Sequence, residues 1–184
     1  MEEFFAQLEG PILLWIQEYL RNDLLTPIVK FITHLGDAGM FWIALTVLFL
    51  VIPKLRKIGF LMMCSLLLNT LLNNMILKNL VARTRPYEIV EGLVNIVGEQ
   101  SDFSFPSGHT GSSFAAAVVI FLMCPRKIGV PVLVLAFLIS LSRLYVGVHF
   151  PTDVLVGALI GTMAAMLVCR IYKKKTGMQS AKRD

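Results

Sequence analysis

Apolar residues in this chain fall in long, nearly unbroken runs separated by short polar stretches. They do not alternate, and they do not form narrow stripes. A helix needs about 20 mostly apolar residues to cross a bilayer, and runs of roughly that length cover 36–55, 58–80, 109–123, 128–145 and 153–172. The third is short and borrows a residue or two at its inner end. Pro53, Pro125 and Pro131 sit near the junctions, where a missing N–H is tolerated. The pattern predicts an all-α fold: a polytopic membrane helix bundle with about five transmembrane helices.

The first 35 residues follow another rule. Residues 11–20 are apolar but interrupted by Gln17 and Glu18, and Arg21-Asn22-Asp23 ends the run. Trp15 and Tyr19 are four apart, on one helical face, as in a helix lying at the headgroup level. Residues 1–35 are therefore expected to form an N-terminal interfacial, amphipathic segment; a bent first span, giving six in all, is the alternative. Met1-Glu2-Glu3 has neither a basic n-region nor a small-residue cleavage site, so no signal peptide is expected. Residues 36–172 then make the transmembrane domain and 173–184 a basic tail.

Composition supports a membrane protein. Of 184 residues, 56% are hydrophobic and 16% charged, against roughly 45–50% and about 25% in soluble domains. The mean hydropathy is +0.72. A net charge of +5 would suit nucleic acid, but much of the basic excess lies in Arg170, Lys173, Lys174 and Lys175, directly after an apolar run. That is a membrane-surface anchor, and no nucleic acid partner is expected. Cys64, Cys124 and Cys169 lie in or beside apolar runs and fit neither a disulfide framework nor a zinc site. Loop charge gives the orientation. Lys54, Arg56, Lys57, Arg126, Lys127 and the tail fall on one side of a five-span bundle. The acidic N-terminus (Glu2, Glu3, Glu9) and the 83–105 loop, with Glu88, Glu91, Glu99 and Asp102, fall on the other. The positive-inside rule makes the C-terminus cytoplasmic.

Three strings then share the extracytoplasmic side: Lys78-x6-Arg85-Pro86, Pro106-Ser107-Gly108-His109, and Ser142-Arg143-x5-His149-x3-Asp153. Each has a plain reading alone. Lys78 and Arg85, two turns apart on a continuing helix, could be snorkelling cations. Ser107 could simply cap a helix, with His109 incidental. His149 and Asp153 could close a loop, and Arg143 could snorkel. The chemical reading needs them together. A helix N-terminus with exposed N–H groups holds an anion, the cations clamp phosphoryl oxygens, and a carboxylate on one imidazole nitrogen leaves the other as a lone pair. Several membrane-edge charges on one side by accident is improbable. Gly157-x3-Gly161, Ala158, Ala164 and Ala165 are expected to permit close helix packing, as are Ser112, Ser113 and residues 115–117. Asn69, Asn73 and Asn74 are expected to hydrogen-bond between helices, and His34 to be a turn residue.

The three strings resemble the signature of the type 2 phosphatidic acid phosphatase superfamily, which includes soluble acid phosphatases and vanadium haloperoxidases. All signature positions from Lys78 to Asp153 are filled. Membrane members commonly have six spans, so the short first segment is a departure. The resemblance implies that His149 attacks phosphorus and becomes a phosphohistidine, oriented by Asp153. His109 protonates the departing oxygen and then activates water. Lys78, Arg85 and Arg143 hold phosphoryl oxygens, with Ser107 and Gly108 adding donors. Phosphoryl transfer mostly needs positioning and charge stabilisation, and three cations supply the charge; no carboxylate cluster suggests a metal, and no cofactor is expected.

The expected protein is thus a metal-independent phosphatase of the bacterial inner membrane, acting on a lipid phosphate or diphosphate among membrane lipids. Its small size resembles undecaprenyl-diphosphate and phosphatidylglycerophosphate phosphatases, and the polyprenyl diphosphate is favoured. Phosphatidate hydrolysis, a membrane phosphotransferase and a non-enzymatic lipid transporter or scaffold are the alternatives.

Overall fold

A computed structural model describes residues 2–177, and every regular element among them is helical. Helix α1 (Glu2–Tyr19) and α2 (Leu25–His34) are separated by the polar break at 20–24. There Asn22 Oδ1 accepts from the N–H groups of Leu24 and Leu25 at 3.1 and 2.8 Å, turning the chain into α2. A 3-10 turn, Asp37–Gly39, leads into α3 (Met40–Val51), with Ala38 and Gly39 both left-handed at φ +49° and +68°. The pair α2 and α3 is bent by 44° at this turn.

Helix α4 (Arg56–Asn69) runs directly into a π-helical stretch, Thr70–Leu77, and then α5 (Lys78–Val81). Ala82 ends it in a left-handed conformation, φ +47°, its N–H closing on the Lys78 carbonyl at 3.0 Å. Arg85 is extended, and Pro86 opens the short α6 (Pro86–Ile89). The sequence suggested one helix carrying Lys78 and Arg85 two turns apart. Instead the helix stops before Arg85, and the two cations meet across a turn.

The remaining helices are α7 (Gly108–Met123), α8 (Arg126–Tyr145) and α9 (Pro151–Thr176). Helix α7 is central, packed by α9, α8 and α4, and its Ala115, Ala116, Ala117, Val119 and Ile120 are fully buried. Small residues allow this. A Cβ at Gly157 would stand 2.7 Å from the Ser107 carbonyl oxygen, and one at Gly161 would run into that of Gly111. Lipid tails give helices no hydrophobic reason to associate, so packing of this kind and polar bonds must hold them. Trp42 Nε1 donates to Ser113 Oγ at 2.9 Å and Ser65 Oγ to the Ala115 carbonyl at 2.8 Å, fixing α3 and α4 to α7. Such bonds are worth about 0.6 to 2 kcal/mol each. The asparagines behave differently from expectation. Asn73 Nδ2 donates to its neighbour Asn74 Oδ1 at 2.8 Å, while Asn69 and Asn74 lie over Gly111 and Gly108 without bonding across.

Among the described residues, three helical stretches are long and apolar enough to cross a membrane: 56–89, α8 and α9. The bent pair α2 and α3 makes a fourth if it counts as one span. Helix α7 fills the predicted 109–123 run but has only 16 residues. The chain is an all-helical integral membrane protein. Gly59 meets the backbone of Phe49 and Leu50, and Gly129 that of Phe121, so the α3–α4 and α7–α8 hairpins turn at one end. Lys54, Arg56, Lys57, Arg126 and Lys127 cluster with those turns, and all three strings lie at the other end.

Helix α1 lies across that second end. Glu9 and Leu13 are buried against it, while Phe4, Leu8, Ile12, Trp15 and Tyr19 form an exposed apolar stripe. Gln17 and Arg21 fasten it by bonds to the backbone of Gly92, Val94 and Tyr145.

Candidate active site

At the end opposite the basic turns, a cavity of about 840 Å³ opens among α3, α4 and α7. Its polar part is lined by Lys78, Arg85, Gly108, His109, Arg143 and His149, drawn from all three strings. Its apolar part runs between α3 and α4 past Ile43, Val47, Leu66 and Leu67. The two imidazoles therefore face one space. Ser107 and Asp153, both fully buried, stand behind it.

The cations are held by partners within the chain. Arg85 donates from Nε to the Asp102 carbonyl at 2.9 Å and from Nη1 to the Val148 carbonyl at 2.8 Å; Nη1 is also 3.5 Å from His149 Nε2. Arg143 donates from Nη1 to Thr33 Oγ1 at 2.6 Å. Lys78 Nζ reaches Asp102 Oδ2 at 2.5 Å, and Arg85 Nη2 binds the other oxygen of the same carboxylate. Burial alone would raise the Asp102 carboxyl, but the Lys78 bond and charge, then Arg85, outweigh it and hold it below the ordinary carboxylate value.

His149 lies in the turn between α8 and α9, 1% exposed. Its Nδ1 is 3.6 Å from Asp153 Oδ2 and 3.5 Å from Ser104 Oγ. Asp153 is the N3 residue of α9, and the same Oδ2 accepts the Phe150 N–H at 2.8 Å and the Ser104 hydroxyl at 2.5 Å. Its Oδ1 accepts from Arg83 Nη1 at 2.7 Å. Arg83 is buried between the rings of Phe5 and Phe150, 4.6 and 3.9 Å from their centres, and pairs with Glu9 of α1 at 3.4 Å. Glu9 also accepts from the Thr152 N–H and hydroxyl. Burial pushes the His149 imidazole down to about 3 against the upward pull of Asp153. The ring is therefore neutral at physiological pH, with Nε2 toward Arg85.

The second imidazole has its own carboxylate. His109 Nε2 lies 2.9 Å from Asp37 Oδ1, and His34 Nδ1 lies 2.8 Å from Asp37 Oδ2. A Cβ at Gly36 would stand 2.5 Å from the His109 ring, so the α2–α3 bend fits directly against it. His109 follows the cap of α7, where Ser107 Oγ accepts from the Thr110 N–H at 3.4 Å and its hydroxyl at 3.1 Å. The Ser107 hydroxyl is thus engaged in capping, and Gly108 is the part of that turn at the cavity wall. Among the described residues, no three His, Cys, Asp or Glu side chains gather as metal ligands.

The PAP2 superfamily profile matches residues 54–177, which hold every residue of the three strings. The chain belongs to the PAP2 superfamily. An undecaprenyl-diphosphatase of Sulfolobus acidocaldarius is 34% identical over 130 residues, covering 71% of this chain and 63% of that protein. The chain spans between about half and two thirds of the length of the first curated relatives it matches. Among solved structures, Aquifex aeolicus LpxE aligns with a TM-score of 0.78 and 29% identity, over 89% of this chain and 95% of that one. The transmembrane PAP2-type phosphatidylglycerolphosphate phosphatase of Bacillus subtilis aligns at 0.73 with 29% identity, over 94% and 85%.

The PAP2 resemblance carried by the three strings thus holds for the whole fold. The named positions of the strings do not include Glu9, His34, Asp37, Arg83, Asp102 and Ser104, which complete the charge and hydrogen bonding around them. Some signals were available. Arg83 sits two residues before Arg85, and Ser104 lies just ahead of Pro106. Short spacing joins Asp37 only to His34; its approach to His109, about 70 residues away, and that of Asp102 to Lys78 and Arg85, about 20 away, come from folding alone.

Proposed function

We propose that this chain is a lipid phosphatase that removes phosphate from a lipid phosphate or diphosphate, with undecaprenyl diphosphate the favoured substrate. One observation carries the reading: His149 and His109 face a single cavity with Lys78, Arg85 and Arg143, and that cavity continues as an apolar groove between α3 and α4. A phosphate seat joined to a groove of this kind suits a phosphorylated lipid, whose head reacts while its chain stays in apolar surroundings.

In this mechanism His149 Nε2 attacks phosphorus as the bond to the leaving oxygen breaks. Burial keeps the ring neutral, so its lone pair is available. Asp153, itself fixed by Arg83, Ser104 and the Phe150 N–H, offsets the charge that develops on the ring. His109 gives its proton to the departing oxygen, with Asp37 steadying the imidazolium. Water then attacks the phosphohistidine and returns a proton to His109, so the cycle closes without an outside acid or base. Lys78, Arg85, Arg143 and the Gly108 N–H stabilise the phosphoryl oxygens.

We further propose five spans, the bent pair α2–α3 counting as the first and α7 as a short third, with α1 at the interface. In that arrangement the interfacial segment expected over 1–35 ends before α2, the phosphatase domain expected over 36–172 gains α2 at its start, and the basic residues from 173 begin a cytoplasmic tail. The basic turns support a cytoplasmic C-terminus and an extracytoplasmic site in a bacterial inner membrane. The Bacillus subtilis structure favours phosphatidylglycerophosphate as a second substrate reading.

The test is phosphate release by purified protein from undecaprenyl diphosphate, phosphatidylglycerophosphate and phosphatidate in mixed micelles. Release from at least one, fastest from the diphosphate, is expected. Release from none sinks the phosphatase reading, and phosphate appearing only on an added alcohol would make the protein a phosphotransferase.

A further inference from the structure

The cations proposed to seat phosphate already hold an anion belonging to the chain. Both oxygens of Asp102 are taken, one by Lys78 Nζ and one by Arg85 Nη2. The three side chains differ greatly in exposure: 7% for Lys78, 3% for Arg85, and 53% for Asp102. A buried lysine and arginine at a membrane edge need a counter-charge whenever the site is empty. Asp102 is the ion-pair partner of each of them among the described residues.

We propose that Asp102 is a displaceable counter-anion: it occupies the phosphate seat of the resting protein, gives way to the substrate phosphate, and returns to expel inorganic phosphate. This rests on the phosphatase reading and adds a residue that sets affinity and product release. A carboxylate has two oxygens to offer Lys78 and Arg85. A phosphoryl group has three, which can also reach Arg143, and carries more charge. Substrate therefore wins the seat, but only by the difference between the two anions. Once the lipid has left, a bare seat of three cations would hold the phosphate dianion tightly. The returning carboxylate lowers that hold.

The surroundings fit such an exchange. Arg85 is also fixed by bonds to the backbone carbonyls of Asp102 and Val148, which do not involve the carboxylate, so displacing the side chain need not move it. The backbone is anchored on both sides, with the Ser104 N–H donating to the Arg83 carbonyl at 2.8 Å and the Gln100 N–H to the Tyr87 hydroxyl at 3.2 Å. A rotation of the half-exposed Asp102 side chain is then enough. Arg143 is held by Thr33 and does not touch Asp102. Because Lys78 and Arg85 hold the Asp102 carboxyl low, the competitor stays ionised at neutral pH and must be displaced by another anion.

Inorganic phosphate is the probe. Its inhibition constant is measured on the full chain for the natural sequence, Asp102→Asn and Asp102→Glu, and its binding is read separately from the thermal shift, which needs no turnover. Asp102→Asn should bind phosphate about tenfold more tightly, equivalent to about 1.4 kcal/mol. It should lower KM without raising kcat, because product leaves more slowly. Asp102→Glu, which keeps the charge, should stay within about threefold of the natural chain. Unchanged or weaker phosphate binding by Asp102→Asn overturns the proposal, as does no phosphate binding by either protein. Should Asp102→Asn fail to fold, phosphate present throughout purification must recover it, since the anion fills the same seat; failure to recover it also overturns the proposal. If the natural chain hydrolyses no lipid, the phosphatase reading fails by itself, and the thermal shift still decides the role of Asp102.

Discussion

Replacing Asp37 with asparagine tests whether the second imidazole is tuned by its own carboxylate. The change keeps the shape and a hydrogen bond to His109, now 2.9 Å from Asp37 Oδ1, and removes only charge. Two unit charges about 4 Å apart interact by about 4 kcal/mol at an effective dielectric of 20 and by about 1 kcal/mol in water. Asp37 is 47% exposed and shared with His34, so screening brings the effect to about 1–2 kcal/mol. That predicts a loss of about 5- to 30-fold in kcat/KM at neutral pH. The sign is fixed by the role: a His109 that gives its proton to the leaving oxygen passes through a charged imidazolium, which the Asp37 carboxylate stabilises. The assay is phosphate release from the best lipid of the panel, with Asp37→Asn and the natural chain compared at neutral pH and matched for thermal stability. A kcat/KM equal to that of the natural chain would falsify the dyad and leave Asp37 a packing residue.

Arg83→Leu leaves Asp153 and Glu9 without their shared cation, and breaking a buried ion pair costs about 3–5 kcal/mol. It should collapse the yield of monodisperse protein, and a melting temperature equal to the natural chain would show the network to be dispensable. His149→Ala should abolish phosphohistidine formation, read by acid-labile labelling. It should also change how stability depends on pH. The folded imidazole, lowered to about 3 from the ordinary 6.5, refuses a proton that the unfolded chain accepts. The natural chain therefore loses stability as pH falls from about 6.5 toward 3, and His149→Ala should flatten that slope in thermal melts; an unchanged slope assigns it elsewhere. Chelator should leave phosphate release intact and vanadate should block it, since in the proposed mechanism the cations stabilise the transferring phosphoryl group; activity lost to chelator and restored by magnesium would overturn this.

Much of the bundle was legible because crossing a membrane leaves so few solutions. Long apolar runs must be helices, and Gly157 and Gly161 must face a close neighbour, as they do against Ser107 and Gly111. What the periodicity could not show is where a helix stops inside an apolar run. The left-handed Ala82 ends α5 with no proline or glycine to announce it, and it decides how Lys78 meets Arg85. The site divides in the same way. Residues joined by short spacing, such as His149 and Asp153 or Ser107 and Gly108, were visible as strings. Residues joined only by folding were not. Asp37 meets His109 because the α2–α3 bend fits against α7, and Glu9 meets Arg83 because α1 crosses the end of the bundle.

The charges around the site separate into two groups by depth. Lys78, Arg83, Arg85 and Arg143 supply four positive charges, and Glu9, Asp37, Asp102 and Asp153 supply four negative ones. Arg83, Glu9 and Asp153 are all nearly or fully buried, and none of them lines the cavity. Their low-dielectric surroundings make separation expensive, so they form a fixed support behind His149. Asp37 and Asp102 are about half exposed and do line it, facing Lys78, Arg85, Arg143 and His109. Water can take up a carboxylate that leaves such a position, so exchange at the cavity wall costs far less than in the support. In the mechanism we propose, the buried group fixes His149 as the nucleophile, and the half-exposed group allows the cations to change partners as phosphate enters and leaves. On that proposal, an Asp102 buried as deeply as Asp153 would hold its own carboxylate in place of substrate, and a chain without it would hold its product.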